Sequence, residues 1–338
     1  MFSSFVLFSA GFVIGSAYWF FPVNFPPTEW AESKTFTYNF FPKSPKSVQK
    51  KRLPDALIIG VKKSGTGALI EFVRMHPDVA APKTEEVHFF DMFYDKGIEY
   101  YYSKLPFVTP DQILMEKTPA YFHVEEVTQL IMDTFGPNVK FIIVVRDPID
   151  RMISDYTHDH VLHFIEEPFH DLAFRVNPQT AQREVNASFE PVLHSNYIKH
   201  LRRFLNVGFK LENFLFIDGD KLSENPGHEL QTVERFLGIR PMFTESMFYY
   251  DDVKGFPCVR LHAQFADGTI REGGLGTKEN PRACLDKSKG RPDEIKPHLT
   301  EEEREMFVRY FAPLNRQFFE IIGFEIPSWQ CVDPDHCF

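Results

Sequence analysis

Leu57-Ile58-Ile59-Gly60-Val61-Lys62-Lys63-Ser64-Gly65-Thr66-Gly67-Ala68-Leu69 reads as a buried strand, a small-residue turn bearing two lysines, and the start of a helix. Glycines let backbone N–H groups approach an anion closely. The positive end of a helix adds its dipole there, and a lysine adds a mobile cation. The stretch therefore predicts a phosphate cradle, its alternative being a turn between strand and helix that binds nothing. A Walker loop is excluded, because GxxxxGK[ST] would put lysine directly after Gly65, where Thr66 stands. A nucleoside-triphosphate kinase is disfavoured accordingly.

Outward from this turn the chain alternates strand and helix patterns. Strands are expected at Ala56 to Val61, Ile113 to Glu116, Lys140 to Val145 and Phe214 to Asp218. Helices are expected at Thr66 to Met75, Val124 to Phe135, Pro148 to Phe164, Val192 to Leu205, Gly227 to Leu237 and Thr300 to Ile322. The predicted fold class is α/β, a mostly parallel sheet flanked by helices, with ligands at the carboxyl ends of the strands. After Val145 come Arg146, Asp147 and Pro148. That order places a guanidinium at a strand end, then a capping carboxylate, then proline in the first helical turn where its missing N–H costs little. Arg146, with the Ser154 hydroxyl two turns into the helix, makes a second candidate anion site.

Composition narrows the class. The chain has 338 residues, with 47 acidic against 37 basic, so no general nucleic-acid partner is expected. Residues 1–28 contain no charged side chain, and Phe2 to Phe21 is apolar enough to cross a bilayer. We read 1–22 as a signal anchor, a cleaved signal peptide being the alternative. Residues 23–52, proline-bearing and ending in Lys50-Lys51-Arg52, read as a stem, and 53–338 as the domain. The four cysteines, Cys258, Cys284, Cys331 and Cys337, form no CxxC pair. Two disulfides are the better reading, and of three connectivities Cys258–Cys284 with Cys331–Cys337 is the simplest. With the sequon Asn186-Ala187-Ser188, a candidate glycosylation site, they point to a lumenal domain. No HExxH or paired-His spacing is present, so no metal is expected.

Six motifs in order carry a resemblance over residues 53 to 325: Gly60-Val-Lys-Lys-Ser-Gly-Thr66, Glu86-Val-His-Phe-Phe-Asp91, Met115-Glu-Lys-Thr-Pro-Ala-Tyr-Phe122, Arg146-Asp-Pro148 through Ser154-Asp-Tyr-Thr157, Lys254-Gly-Phe-Pro-Cys258 and Lys287-Ser-Lys-Gly-Arg291. The chain resembles the Golgi heparan sulfate glucosamine 3-O-sulfotransferases, which use 3′-phosphoadenosine 5′-phosphosulfate (PAPS). The resemblance implies a type II Golgi membrane protein with heparan sulfate as partner and no metal. It implies that Lys63, Ser64, Gly65, Thr66 and Gly67 hold the 5′-phosphosulfate and that Arg146 and Ser154 hold the 3′-phosphate. Lys289, Gly290 and Arg291 would close over the nucleotide beside Pro257. Glu86 would be the general base, with His88 beside it on one face of an extended segment. Lys117, Asp91, His158 and Lys199 would meet the glycan, the last in a segment with Tyr197 and His200. Gly67 stands at a usually basic position, Ser64 at a usual glycine and His158 where an amide is common. The segment between Cys258 and Cys284 is longer than usual. Another glycan or position, or a silent glycan-binding protein, is the alternative function.

Overall fold

In a computed structural model of the chain, residues 48–83, 86–252, 255–260, 263–268, 284–285, 295–326 and 329 are described. The expectations for 1–22, for most of the stem, for Lys289, Gly290 and Arg291, and for Cys331 and Cys337 lie outside them. Among the described residues no helix is long and apolar enough to cross a membrane.

In chain order, strand β1 (Ala56–Gly60) leads through the lysine turn into α1 (Thr66–Val73), followed by β2 (Val79–Ala80), α2 (Phe89–Met92) and α3 (Ile98–Lys104). Next come β3 (Ile113–Lys117), α4 (Val127–Phe135), β4 (Lys140–Val145), α5 (Pro148–Val161) and α6 (Phe169–Ala173). The hairpin β5 (Phe174–Val176) and β6 (Arg183–Val185) precedes α7 (Glu190–His194) and α8 (Tyr197–Asn206). The remainder comprises β7 (Phe214–Asp218), α9 (Gly219–Glu224), α10 (Pro226–Leu237), β8 (Phe248–Asp251), β9 (Phe256–Val259) and α11 (Glu301–Ile322).

The central sheet is parallel in the order β2-β3-β1-β4-β7. Leu57, Ile59 and Val61 face one layer with Phe141, Ile143, Phe204 and Phe318, while Ala56 and Ile58 face the other with Leu69, Phe72, Leu230 and Val233. Side chains alternating from a sheet covered on both faces explain why β1 is apolar throughout. The chain leaves β1 toward β3 on one side and leaves β4 toward β7 on the other. The crevice between β1 and β4 is therefore the topological switch point where α/β sheets bind ligands.

The expected fold class is the one found, and β4 and β7 have the predicted bounds. Two expectations are corrected, and five small strands are added. The helix expected over Val192 to Leu205 is broken at Ser195-Asn196, where Asn196 caps α8 by accepting from the Lys199 amide. Small strands β2, β5, β6, β8 and β9 escaped notice, since two to four residues carry too little alternation. The basic run 50–52 belongs to the domain rather than to a tether. Lys50 exchanges both backbone hydrogen bonds with Val108, and Lys51 Nζ donates to the Tyr102 carbonyl at 2.7 Å.

Gly219, the first residue of α9, lies where a Cβ would collide with the Ser64 carbonyl of the lysine turn and meet the Val145 carbonyl at 3.1 Å. Both contacts are backbone, so neither can swing away. Gly219→Ala should destabilise the fold by about 1–3 kcal/mol through overpacking. Urea unfolding checks this, and a midpoint equal to wild type would contradict the close approach.

Candidate active site

The lysine turn is built by backbone geometry. Lys63 and Gly65 both adopt positive φ, 72° and 106°, which curls the segment between β1 and α1. Gly65 accommodates this without a Cβ penalty, and as N-cap it offers α1 no capping side chain. No side chain therefore satisfies the first-turn amides of α1, the kind of helix start that suits an anion. Lys62 turns back onto α5, its Nζ 3.0 Å from Asp155 Oδ1 and 2.9 Å from Asp159 Oδ2. Burial would depress its ammonium, but the two carboxylates outweigh that and hold it above the ordinary lysine range.

Arg146 closes β4, and its guanidinium leans on Asp220 Oδ1 at 3.2 Å and Asp150 Oδ2 at 3.9 Å. Its carbonyl accepts from the Tyr197 hydroxyl at 2.9 Å. Asp147 caps α5 by accepting from the amides of Ile149 and Asp150 at 2.9 and 3.2 Å, the arrangement expected from Arg146-Asp147-Pro148. Ser154 is half-buried on α5. Because β1 and β4 are adjacent and parallel, the lysine turn and Arg146 lie at neighbouring strand ends.

A second group of side chains gathers at the carboxyl end of β3, the strand on the other side of β1. Glu86 is gripped at both oxygens: Lys117 Nζ is 2.8 Å from Oε1 and His88 Nε2 is 3.0 Å from Oε2. The opposite ring nitrogen of His88, Nδ1, meets Asp91 Oδ2 at 2.7 Å. Burial pushes the Glu86 carboxyl up, yet the hydrogen bonds and charges of His88 and Lys117 win and draw it down to about 2. Hydrogen bonds to Asp91 and Glu86 lift His88 to about 10 despite burial, so the imidazole is a cation at neutral pH. Lys117 pairs with Ile58 in the sheet register, which places this group at the same sheet edge as the lysine turn.

The routes to these contacts differ from those read in the sequence. His88 is not in an extended segment: it has a φ of 53° and caps the short helix α2. The contact with Glu86 comes from that reversal rather than from strand alternation. Lys117 and Asp91, expected to meet the glycan, have side chains only 7% and 6% exposed and are committed to Glu86 and His88. Tyr197 and His200 are buried, Tyr197 on the Arg146 carbonyl and His200 on that of Leu193, so neither can line a glycan cleft; Lys199 between them is exposed. His158 is half-buried, with Nδ1 2.9 Å from Asp159 Oδ1. Pro257 is buried in β9, and Cys258 is disulfide-bonded to Cys284. Asn186 Nδ2 donates one hydrogen to the Leu172 carbonyl, which leaves the second hydrogen of that amide for attachment.

Several residues went unnoticed in the sequence. Arg151, wholly buried, donates to Asp155, Ser195 and the carbonyls of Lys62 and Pro191. Its only signal was an Asp four residues on along the same helix face. Thr118 and Tyr121 hold the backbone of residues 87–90 through their hydroxyls. Nothing in the spacing of either residue encodes that role.

The sulfotransferase domain family matches residues 53–319, from just ahead of β1 into α11. The chain is 39% identical over 276 residues to mouse (Mus musculus) heparan sulfate glucosamine 3-O-sulfotransferase 6, covering 81% of this chain and 73% of that protein. It is likewise 39% identical over 281 residues to human (Homo sapiens) heparan sulfate glucosamine 3-O-sulfotransferase 5, covering 80% and 73%. A sulfotransferase from Alicyclobacillus acidocaldarius shares the fold with a TM-score of 0.57 at 17% identity, over 82% of this chain and 99% of that one. With the parallel sheet, the anion turn and the carboxylate group all inside the matched region, the chain belongs to the sulfotransferase domain family and, within it, to the heparan sulfate glucosamine 3-O-sulfotransferases.

Proposed function

We propose that this enzyme transfers a sulfuryl group from PAPS to the 3-hydroxyl of glucosamine residues in heparan sulfate, with Glu86 taking the hydroxyl proton. The observation that carries this reading is the carboxylate Glu86, held by His88 and Lys117 at the same sheet edge as an anion turn. The substrate is that named for the relatives, and the donor suits two anion sites on neighbouring strand ends.

The residues present fit the nucleotide. Lys63, Ser64 and the amides of Gly65 to Gly67 at the N-terminus of α1 would hold the 5′-phosphosulfate. Arg146 and Ser154 would hold the 3′-phosphate, and Lys289, Gly290 and Arg291 are proposed to complete the site with Pro257. Bound there, PAPS supplies the sulfuryl group and departs as 3′-phosphoadenosine 5′-phosphate. Lys63 would stabilise the charge that collects on the departing phosphate. Glu86, drawn down to about 2, is a weak base while both neighbours grip it. An incoming sugar hydroxyl that displaces either hydrogen bond makes the carboxylate more basic at the moment it is needed. The hydroxyl itself becomes far more acidic as its oxygen bonds to sulfur, so a late proton transfer to Glu86 suffices. Asp91 keeps His88 oriented and charged beside it. His158 and Lys199 remain candidates for glycan contacts.

We further propose that residues 1–22 anchor the chain in the Golgi membrane with the domain lumenal and Asn186 glycosylated. The full chain should then resist carbonate extraction from membranes and lose mass with a glycosidase. Recovery of an intact, unglycosylated cytosolic protein would refute that topology.

Two substitutions test the chemistry. Glu86→Gln keeps size and removes the basic carboxylate, so single-turnover sulfation of a heparan oligosaccharide should fall by about 10²–10⁴. PAPS affinity should stay within a few fold. A residual rate above roughly a tenth of wild type, outside the range for general-base loss, would remove Glu86 from that role. Arg146→Ala should weaken binding of 3′-phosphoadenosine 5′-phosphate by about 1.5–3 kcal/mol, the worth of a charge-assisted hydrogen bond. Adenosine 5′-phosphosulfate, which lacks the 3′-phosphate, should bind both proteins alike in calorimetry; equal losses for the two ligands would sink the assignment.

A further inference from the structure

Beneath the Glu86 group lies a buried carboxylate that the chemistry above does not use. Glu116, in β3, is wholly buried and accepts a hydrogen bond from the Tyr101 hydroxyl at 2.9 Å. Thr118 Oγ1 lies 3.4 Å from its other oxygen, and Tyr121 is an electrostatic neighbour of the same carboxylate. All three hydroxyl-bearing residues are wholly buried.

The direction of these bonds is dictated by what lies above them. Thr118 Oγ1 accepts from the amides of Val87 at 3.1 Å and His88 at 3.2 Å. The Tyr121 hydroxyl accepts from Phe89 at 2.9 Å and Phe90 at 3.4 Å. Four successive N–H groups at the start of α2, which His88 caps with no side-chain bond of its own, are thus satisfied from below. A hydroxyl has one proton. Once its lone pairs serve backbone amides, that proton must go to an acceptor, and an ionised carboxylate is the side chain that only accepts.

We propose that Glu116 is a positioning residue: as a carboxylate it takes the proton of Thr118, aiming that hydroxyl's lone pairs at the amides of Val87 and His88, and so fixes Glu86, His88 and Asp91 in their reactive arrangement. This rests on the reading of Glu86 as base. Neutralising Glu116 would let a hydroxyl reverse, forfeit an amide bond and loosen the left-handed turn at His88.

The groups facing Glu116 are Tyr101 from α3, Tyr121 from the turn after β3, Asp91 from α2, and Thr118 next but one along the chain. Lys117, between Glu116 and Thr118, is committed to Glu86. Burial raises Glu116 to about 7 even though Tyr101, Tyr121 and Thr118 hydrogen-bond its charged form. It therefore gains a proton as pH falls through neutrality, while Glu86 at about 2 and His88 at about 10 do not titrate there.

The test compares wild type with Glu116→Gln in the full-length protein. In Glu116→Gln, kcat should drop by roughly 10- to 100-fold, the scale for a displaced catalytic group, with 3′-phosphoadenosine 5′-phosphate affinity retained. The wild-type kcat profile should fall on the acid side near pH 7, and that limb should vanish in the variant. Amide hydrogen exchange over residues 86–92 should quicken in the variant while the β1 and β4 strands stay protected. Persistence of the acid limb in Glu116→Gln, or unchanged exchange over 86–92, overturns the proposal. Should Glu116→Gln fail to fold, Thr118→Val and Thr118→Ser decide: valine should lose rate and local protection and serine should recover them, and equal behaviour of the two overturns it. A wild-type protein that sulfates no heparan acceptor would refute the function, while the exchange comparison would still decide the positioning.

Discussion

The guanidinium of Arg151 sits fully buried at the junction of three chain segments. From α5 it donates to Asp155 one turn on, to the Ser195 hydroxyl and Pro191 carbonyl around α7, and to the Lys62 carbonyl in the lysine turn. Five N–H donors in a rigid plane suit such a junction, which a lysine could not span. Burial pushes the Asp155 carboxyl up, but Arg151, His194 and Lys62 overcome it and hold it well below the ordinary range. A buried charge of this kind is tolerated only because nearly every direction around it is occupied by a partner.

That junction makes the first lysine of the turn structural. With the Lys62 carbonyl held by Arg151 and its ammonium between Asp155 and Asp159, the first lysine is part of the scaffold. The left-handed backbone at Lys63 and Gly65 follows from there, and it opens the α1 amides toward the crevice. The acidic face of α5 and the positive end of α1 thus stand on two sides of the same turn. The overall negative charge of the chain and a local anion site coexist because the carboxylates nearest the turn are neutralised by Lys62 and Arg151.

The carboxylate group follows the same logic on the other side of β1. Lys117, His88 and Asp91 read naturally as substrate contacts, being polar residues in motifs near a strand end. In the folded protein they form a chain of charges, Lys117 to Glu86 to His88 to Asp91, in which each partner sets the protonation of the next. Glu86 is the member of that chain gripped at both oxygens, and its basicity depends on which of those neighbours it keeps. The buried hydroxyls of Thr118 and Tyr121 hold the short helix beneath, a region too small to be stable by helical propensity alone.

The sequence by itself determined the parallel α/β order, the bounds of β4 and β7, the glycine turn, the Arg146-Asp147-Pro148 strand end and a set of cysteines suited to disulfides, whose pairing of Cys258 with Cys284 the fold then selects. Each rests on neighbours in the chain or on spacing, such as apolar runs, a cap followed by proline, or an even cysteine count. Only the tertiary structure decided that Lys62 is structural, that Tyr197 and His200 are buried, and that Glu86 meets His88 through a left-handed turn. It also decided the roles of Arg151, Glu116 and Thr118. Glu116 meets Tyr101 across 15 residues, Lys117 meets Glu86 across 31 and Arg151 meets Lys62 across 89. Burial and hydrogen-bond direction arise only when distant strands are brought to one sheet edge, and no local pattern encodes them.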